Sequence, residues 1–145
     1  MTEESKEVRV EKILVAVDGS KQSVKATSLA VSIAKGIGAH IAFISVVELS
    51  DIPTLMSEAQ SPPGEAHAQI ALGMAMKAAQ ASGVEAEVVL RKGHSAGQIV
   101  RFAEEYKPDL IVLGSRGHSG TAGILLGSVS TAVLKTTHYP VLIVR

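Results

Sequence analysis

The sequence predicts an α/β protein whose single domain is a doubly wound, five-stranded parallel sheet with four helices. Short apolar runs rich in β-branched residues, typical of strands buried on both faces, alternate with longer segments of helical periodicity. This alternation implies right-handed crossover connections between parallel strands. The length of 145 residues, 46% of them hydrophobic, suffices for one well-filled core and is short for two.

The first two strands and the first helix follow from apolar runs and the turns beside them. Lys12–Val17 reads KILVAV, a buried strand that ends at Asp18-Gly19-Ser20, where the serine is a suitable N-cap for a helix. Gly36 and Gly38 mark the end of that helix. His40–Val47 predicts the second buried strand.

Residues 48–63 have no clear period and contain three prolines. A loop of this length in a compact domain is uncommon, and such loops are often functional or mobile. A tolerated surface insertion explains the same composition. Both interpretations stay open from the sequence.

The remaining elements continue the alternation of helix and strand. Pro108 disfavours helical geometry in the residue before it, so the third helix is expected to stop near Lys107. The strand before that helix begins polar and alternating, as an edge strand does. The predicted order is helix 68–79, edge strand 85–90, helix 99–106, strand 109–113, helix 128–135 and strand 140–144.

Five strands connected in this way favour the flavodoxin-like order 3-2-1-4-5. Ligands of such sheets bind beyond the carboxyl ends of the strands, where the winding reverses. In this order the ends of the first and fourth strands are neighbours. Asp18 and the loop that begins at Gly114 are therefore expected to face one crevice.

Composition excludes several classes of function. The formal charge is zero and the pI about 7, which disfavours bulk binding of nucleic acid. The chain has no cysteine, so disulfides, thiol catalysis and cysteine-ligated zinc are excluded. No apolar run approaches the length of a membrane span, and a cytoplasmic protein with a flexible N-terminus over residues 1–10 is expected.

The stretch 114–130, which reads GSRGHSGTAGILLGSVS, predicts an anion site. It follows a buried strand and opens a helix. Glycines let backbone N–H groups come close to a ligand, and the N–H groups and dipole of a helix N-terminus favour negative charge. We expect this stretch to hold the phosphates of a nucleotide.

The spacing of this stretch resembles the ATP-binding branch of the universal stress protein family. Gly114-Ser-Arg-Gly117, nine residues and then Gly127-Ser128 match the G-x-x-G-(nine)-G-[S/T] pattern of that branch. Ile13–Ser20 and Tyr139–Val144 are similar to the first and last strands of the family. The resemblance implies a universal stress protein domain over residues 11–145, with an adenine nucleotide alpha hydrolase-like fold.

The resemblance also implies a ligand, a set of contacts and an assembly. Family members bind ATP, with Mg²⁺ bridging the phosphates, act in stress and regulation with slow or no hydrolysis, and commonly dimerise through the last strand, here Val141–Val144. The family positions beside the nucleoside correspond to Ala16, Val17, Asp18, Val46, Leu113 and Gly114. The phosphate positions correspond to Arg116, Gly117, Gly127, Ser128, Val129 and Ser130.

Several of these residues have a second interpretation. Asp18 could close the first strand and start the helix without contacting a ligand. Ser128 and Ser130 could be helix N-caps, a role that overlaps in geometry with phosphate binding. Arg116 suits a phosphate, and a solvated arginine is the alternative.

A different class of function is suggested by Gly93-His-Ser-Ala-Gly97, which satisfies the G-x-S-x-G pattern of a serine hydrolase. His118 or His138 and Asp109 would complete a triad with Ser95 in the order that the pattern requires. Asp109, however, is expected at the opposite end of the sheet from the loops. Ser95 as the N-cap of the third helix explains the same residues more simply. The five histidines show no metal-ligand spacing.

Overall fold

The structure, a computed structural model, describes residues 7–48, 63–116 and 126–145. It contains one five-stranded parallel sheet in the order β3-β2-β1-β4-β5, with four helices, which confirms the predicted fold. The elements are β1 Lys12–Ala16, α1 Lys21–Ile37, β2 His40–Glu48, α2 Pro63–Ala81, β3 Ala86–Gly93, α3 Ser95–Tyr106, β4 Leu110–Gly114, α4 Ser128–Thr136 and β5 Val141–Val144.

The sheet separates two apolar cores because alternate strand residues face opposite sides. Ile13, Val15 and Phe43 pack with α1 and α2 on one face. Leu14 and Ile44 pack with α3 and α4 on the other. All five side chains are fully buried, as expected for central strands of a doubly wound sheet.

Helix α1 begins and ends at the predicted signals. The Ser20 hydroxyl accepts a hydrogen bond from the Ser23 amide at 3.2 Å, which satisfies one of the free N–H groups of the first turn. Gly38 adopts a left-handed conformation with φ of 74° and donates its amide to Ala34. The helix passes through Gly36 without interruption.

Helix α3 departs from the predicted start. It begins at Ser95 with His94 as its N-cap, so the assignment of Ser95 as the cap is wrong. The physical reason is an acidic side chain from a distant strand: the Ser95 amide donates to Glu48 Oε1 at 2.9 Å. The carboxylate supplies the acceptor that a capping serine would otherwise provide. The helix ends before Lys107, as predicted.

The register of the strands aligns the carboxyl ends that are expected to form the crevice. Ala16 of β1 pairs with Ile44 of β2, and Val15 pairs with Val112 of β4. The connections that follow β1 and β4 therefore go to opposite faces of the sheet, with α1 on one face and α4 on the other. This is the switch point at which doubly wound sheets bind ligands.

Three of the predicted segments lie partly outside the described residues. They are the N-terminal segment 1–10, of which residues 7–10 are described, the 48–63 segment, of which Glu48 and Pro63 are described, and the 114–130 stretch, of which residues 114–116 and 126–130 are described. Within the described ranges, no helix is both long and apolar enough to cross a membrane.

Candidate functional site

The turn between β1 and α1 is held by its own polar groups. Asp18 Oδ1 accepts the Ser20 amide at 2.9 Å, and the Asp18 amide donates to the Ser23 hydroxyl at 3.0 Å. Gly19 has φ of 82°, a conformation that glycine adopts without steric cost. One carboxylate oxygen of Asp18 thus shapes the turn, while the residue as a whole is exposed at the crevice.

The end of β4 lies against the first turn of α1. A Cβ atom on Gly114 would lie 2.8 Å from Gln22 Cβ and 3.0 Å from the Gln22 carbonyl carbon. These distances leave no room for a side chain. The absence of a Cβ at position 114 therefore lets β4 and α1 approach, which brings the two predicted halves of the site together.

The start of α4 is fastened to the end of β4. The Gly127 amide donates to the Ser115 carbonyl at 2.6 Å, and the Ser130 hydroxyl donates to the Gly114 carbonyl at 2.7 Å. The Ser115 amide in turn donates to Val144 of β5 at 2.7 Å. Residues 114 and 115 thus join β4, β5 and α4 at the carboxyl edge of the sheet.

The N-termini of the helices differ in how their free N–H groups are satisfied. Ser20 caps α1, and the carboxylate of Glu48 occupies the N-terminus of α3. The N-cap of α4 is Gly127, which is extended with φ of −75° and ψ of 171° and has no side chain to offer. Neither Ser128 nor Ser130 is the N-cap of α4, so that alternative is wrong. Of these three helices, α4 is the one whose N-cap residue has no side chain, and free N–H groups of a first turn favour anions.

The other predicted contacts lie around this edge with different degrees of exposure. Val46 pairs with Arg91 of β3, two residues beyond the Ile44 that pairs with Ala16. Val17 and Leu113 are buried in the two cores. Ser128 is exposed, and Gly117 lies outside the described residues. The half-buried positions are Ala16, Val46, Gly114, Arg116, Gly127 and Val129.

A cavity of about 230 Å³ opens beside the β1–α1 turn, between α1 and α2. Val17 and Gly19 form the end nearest the crevice, and Met74 and Ala75 of α2 form the opposite wall. Pockets for drug-sized ligands have volumes of about 300–1,000 Å³. This cavity is smaller than that range, and it lies on the opposite face of the sheet from α4.

Two charged pairs lie at the carboxyl ends of β2 and β3. Lys92 Nζ lies 3.2 Å from Glu65 Oε2, and His94 Nδ1 lies 3.9 Å from Glu48 Oε2. Among the residues in the described ranges, no group of three His, Asp or Glu side chains could hold a metal ion.

The serine hydrolase alternative is not supported. Ser95 is the first residue of α3, and its amide is bonded to Glu48. The Asp109 carboxylate lies at the amino edge of the sheet, where it accepts the amides of Glu11 at 2.9 Å and Lys12 at 3.0 Å. Ser95 and Asp109 thus lie at opposite ends of the strands, as expected, and cannot share a triad. His118 lies outside the described residues.

Sequence reasoning missed three residues that shape the site: Gln22, Glu48 and Ser115. Gln22 and Ser115 act through backbone and packing, which no residue type signals. Glu48 acts across 47 positions of sequence on Ser95. The one local signal of this role is that Glu48 is a carboxylate at the carboxyl end of a strand, where the helices of the sheet begin.

The protein is a doubly wound α/β protein in which the N-terminus of α4, with Gly127 as its N-cap, lies at the switch point of the sheet. The family model described as "Universal stress protein family" matches residues 9–145. The chain belongs to the universal stress protein family.

Individual relatives agree with this assignment. A universal stress protein of Methanocaldococcus jannaschii is 39% identical over 138 residues, which cover 92% of this chain and 81% of that protein. One from Bacillus subtilis is 36% identical over 146 residues, covering 92% and 98%. A crystal structure of a universal stress protein in complex with cAMP matches with a TM-score of 0.72 and 30% identity, over 94% of this chain and 97% of the other.

Proposed function

We propose that this protein is a nucleotide-binding module that takes ATP at the crevice between β1 and β4 and acts in stress or regulation through its occupancy. The observation that carries the proposal is the N-terminus of α4. Gly127 has no side chain with which to cap the first-turn N–H groups, whereas Ser20 and Glu48 occupy the corresponding groups of α1 and α3. Such N–H groups, together with the helix dipole, favour phosphate.

The proposed phosphate contacts come from residues beside this helix start. Backbone N–H groups of residues 128–130, the exposed Ser128 hydroxyl and the Arg116 guanidinium can all donate to phosphate oxygens, whereas the Gly127 N–H already donates to Ser115. Gly117 completes the set that the family pattern implies. Mg²⁺ is proposed to be held by the phosphates of the nucleotide.

The proposed nucleoside contacts lie at the ends of β1 and β2. Asp18 is exposed at the crevice and can accept a hydrogen bond from a ribose hydroxyl. Val46, with the backbone of Ala16, Val17, Leu113 and Gly114, is proposed to border the base and ribose. The solved relative in complex with cAMP, 30% identical, supports an adenine ligand.

Hydrolysis is proposed to be slow or absent because of the chemistry of these groups. Backbone N–H groups, hydroxyls and an arginine bind phosphate, but none of them removes a proton from water at neutral pH. Binding without fast turnover suits a protein whose ligand reports a cellular condition. A cytoplasmic location stays a prediction, and the absence of cysteine is compatible with such a reducing compartment.

A second copy of the chain is the proposed partner, through the edge strand β5. Val141–Val144 is short and apolar and forms one edge of the sheet. An apolar edge strand without a charged residue is a template for pairing with another strand. The family resemblance favours this surface for a homodimer.

The proposed ligand can be identified directly from purified protein. The chain has no tryptophan and two tyrosines, so the absorbance of its aromatic side chains in the near ultraviolet is weak. A retained adenine nucleotide would therefore dominate the ultraviolet spectrum of the purified protein. Denaturation followed by chromatography of the supernatant would identify the nucleotide. Titration calorimetry with ATP would then measure its affinity, and failure to bind any adenine nucleotide would refute the proposal.

A substitution tests the location of the phosphates. Gly127→Val is expected to abolish ATP binding while the fold survives, because a branched side chain at the extended N-cap would occupy the space of the phosphate. Gly36→Ala is the control, since position 36 is exposed on α1 and has open space around it. Unchanged ATP affinity of Gly127→Val, measured by calorimetry, would contradict the site.

A further inference from the structure

The hydroxyl of Ser130 is buried and already has a partner within the protein. Ser130 is 4% exposed, and its Oγ donates to the Gly114 carbonyl at 2.7 Å. A serine hydroxyl has one proton, so this bond uses the only hydrogen that the side chain could donate to a phosphate oxygen. Ser128, two residues earlier in the same helix, is exposed.

The acceptor of this bond lies at a junction of three elements. Gly114 ends β4 and packs against Gln22 in the first turn of α1. The next residue, Ser115, accepts the Gly127 amide at 2.6 Å, just before α4 begins. The bond from the Ser130 hydroxyl to Gly114 therefore joins α4 to the point at which β4 packs against α1.

We propose that Ser130 is a positioning residue, whose hydroxyl holds the N-terminus of α4 beside the first turn of α1 and does not itself contact the nucleotide. This inference rests on the proposed function, because it concerns the same crevice. It assigns Ser130 a role different from the direct phosphate contact that the family pattern implies. The bond fixes the α4 amides before the ligand arrives, so that binding need not order them.

The first test compares ATP with adenosine as ligands of Ser130→Ala. Loss of one hydrogen bond is expected to weaken ATP binding about three- to tenfold, with adenosine binding unchanged. The difference arises because only the phosphates use the N-terminus of α4. If Ser130 only stabilised the fold, the substitution would lower the melting temperature and leave both dissociation constants of the folded protein unchanged, which would overturn the proposal.

The second test separates positioning from direct contact in the protein without ligand. The Gly127 amide is bonded to Ser115, and the Thr131 amide is bonded to Gly127. If Ser130 positions α4, hydrogen exchange at these two amides is faster in ligand-free Ser130→Ala than in the wild type. Weakened ATP binding with unchanged exchange would show that the hydroxyl contacts the ligand, and would overturn the proposal.

A matched pair of variants controls for folding and shape. Ser130→Thr keeps the hydroxyl, and Ser130→Val replaces it with a methyl group in a side chain of similar shape. We expect the threonine variant to bind ATP at least threefold more tightly than the valine variant. Equal affinities would refute the positioning role alone, whereas a wild-type protein that binds neither ATP nor adenosine would refute the proposed function.

Discussion

At the scale of single residues, Gly114 is required for space and not for its backbone conformation. Its φ lies outside the left-handed region, so any residue could adopt its conformation. The nearest atoms to a Cβ at this position include the carbonyl carbon and oxygen of Gln22, at 3.0 and 3.2 Å. Backbone atoms cannot rotate away as a flexible side chain can.

Gly114→Ala is therefore expected to destabilise the protein by about 1–3 kcal/mol, the usual cost of overpacking. Gly73→Ala is the matched control, because position 73 is exposed within α2 and has nothing within 4 Å. The control is expected to stabilise by about 0.5–1 kcal/mol through the helix preference of alanine. Urea denaturation measures both, and equal effects would contradict the contact.

Tyr106 shows how burial affects a single ionisable group far from the crevice. Its ring stacks on Phe102 with centroids 5.6 Å apart, and Lys12 Nζ lies 5.1 Å from its centroid. Burial, followed by the nearby carboxylates of Glu87 and Asp109, raises the pKa of the Tyr106 hydroxyl well above its usual value. The folded protein therefore holds this proton more tightly than the unfolded chain does.

The sign of the linked pH dependence follows from that direction. The contribution of Tyr106 to stability is complete below the unfolded pKa of about 10 and is lost as the pH rises from there through the folded pKa. Tyr106→Phe is expected to reduce the fall in the free energy of unfolding above pH of about 10. Denaturation of both proteins across that range checks this, with Tyr139→Phe as the control. An unchanged slope would contradict the burial effect.

Residue roles were predictable where the partners are close in sequence. The Ser20 cap was predicted, and the role of Asp18 in the turn was one of its two interpretations, because each bond spans two or three residues. The bond between Ser130 and Gly114 spans 16 residues, and the one between Ser95 and Glu48 spans 47. Such partners are set by the register of the sheet, so the local pattern of serines led to the wrong caps.

At the scale of elements, the start of α3 depends on a side chain from β2. His94 is its N-cap without a capping hydrogen bond from its side chain, and Glu48 fills that role. A carboxylate at a helix N-terminus is favourable both as an acceptor and as a charge near the helix dipole. The last residue of β2 thus secures α3, which packs on the opposite face of the sheet from α2.

Glu48→Ala is expected to lower the free energy of unfolding by about 1 kcal/mol, the typical value of a lost N-cap. The double variant with His94→Asp should recover part of this loss, because an aspartate at the N-cap supplies a local acceptor. Chemical denaturation measures the recovery. The interpretation fails if His94→Asp has the same effect in the presence and absence of Glu48.

Element boundaries were predicted less closely than the elements themselves. β3 extends to Gly93 rather than Leu90, because the whole strand pairs with β2 as far as Glu48. Its polar sequence, with Arg91 and Lys92, gave no apolar signal over those positions. An edge strand needs only one partner to continue, and hydrophobic pattern does not report that pairing.

At the scale of the whole molecule, the strand order was predictable from alternation and chain length. Each βαβ unit is right-handed, and a change of winding after β3 places α1 with α2 and α3 with α4. The crevice at the switch point follows from this topology. The cavity between α1 and α2 was not predictable, because it arises where small side chains such as Ala75 meet Ser23 and Gly19 across separate elements.

The proposed homodimer can be tested through the outward N–H groups of β5. The carbonyls of Pro140 and Val144 both accept amides of the β4 segment, so alternation turns the polar groups of Val141 and Ile143 outward. Ile143→Pro removes an outward N–H group and is tolerated on an edge strand. We expect monomers by light scattering for this variant and dimers for Ile143→Ala. Dimers in both would exclude pairing through β5.

β1 is the first of the described strands and the middle strand of the sheet. Among the described elements, β2 is synthesised after one further helix, whereas β4 is synthesised only after three helices and two further strands. A nascent chain that has not yet reached Leu110 therefore presents one open edge of β1, with Ile13–Val15 along it. Open apolar edges pair readily with other chains, so we expect the nascent chain to be most prone to aggregate during that interval.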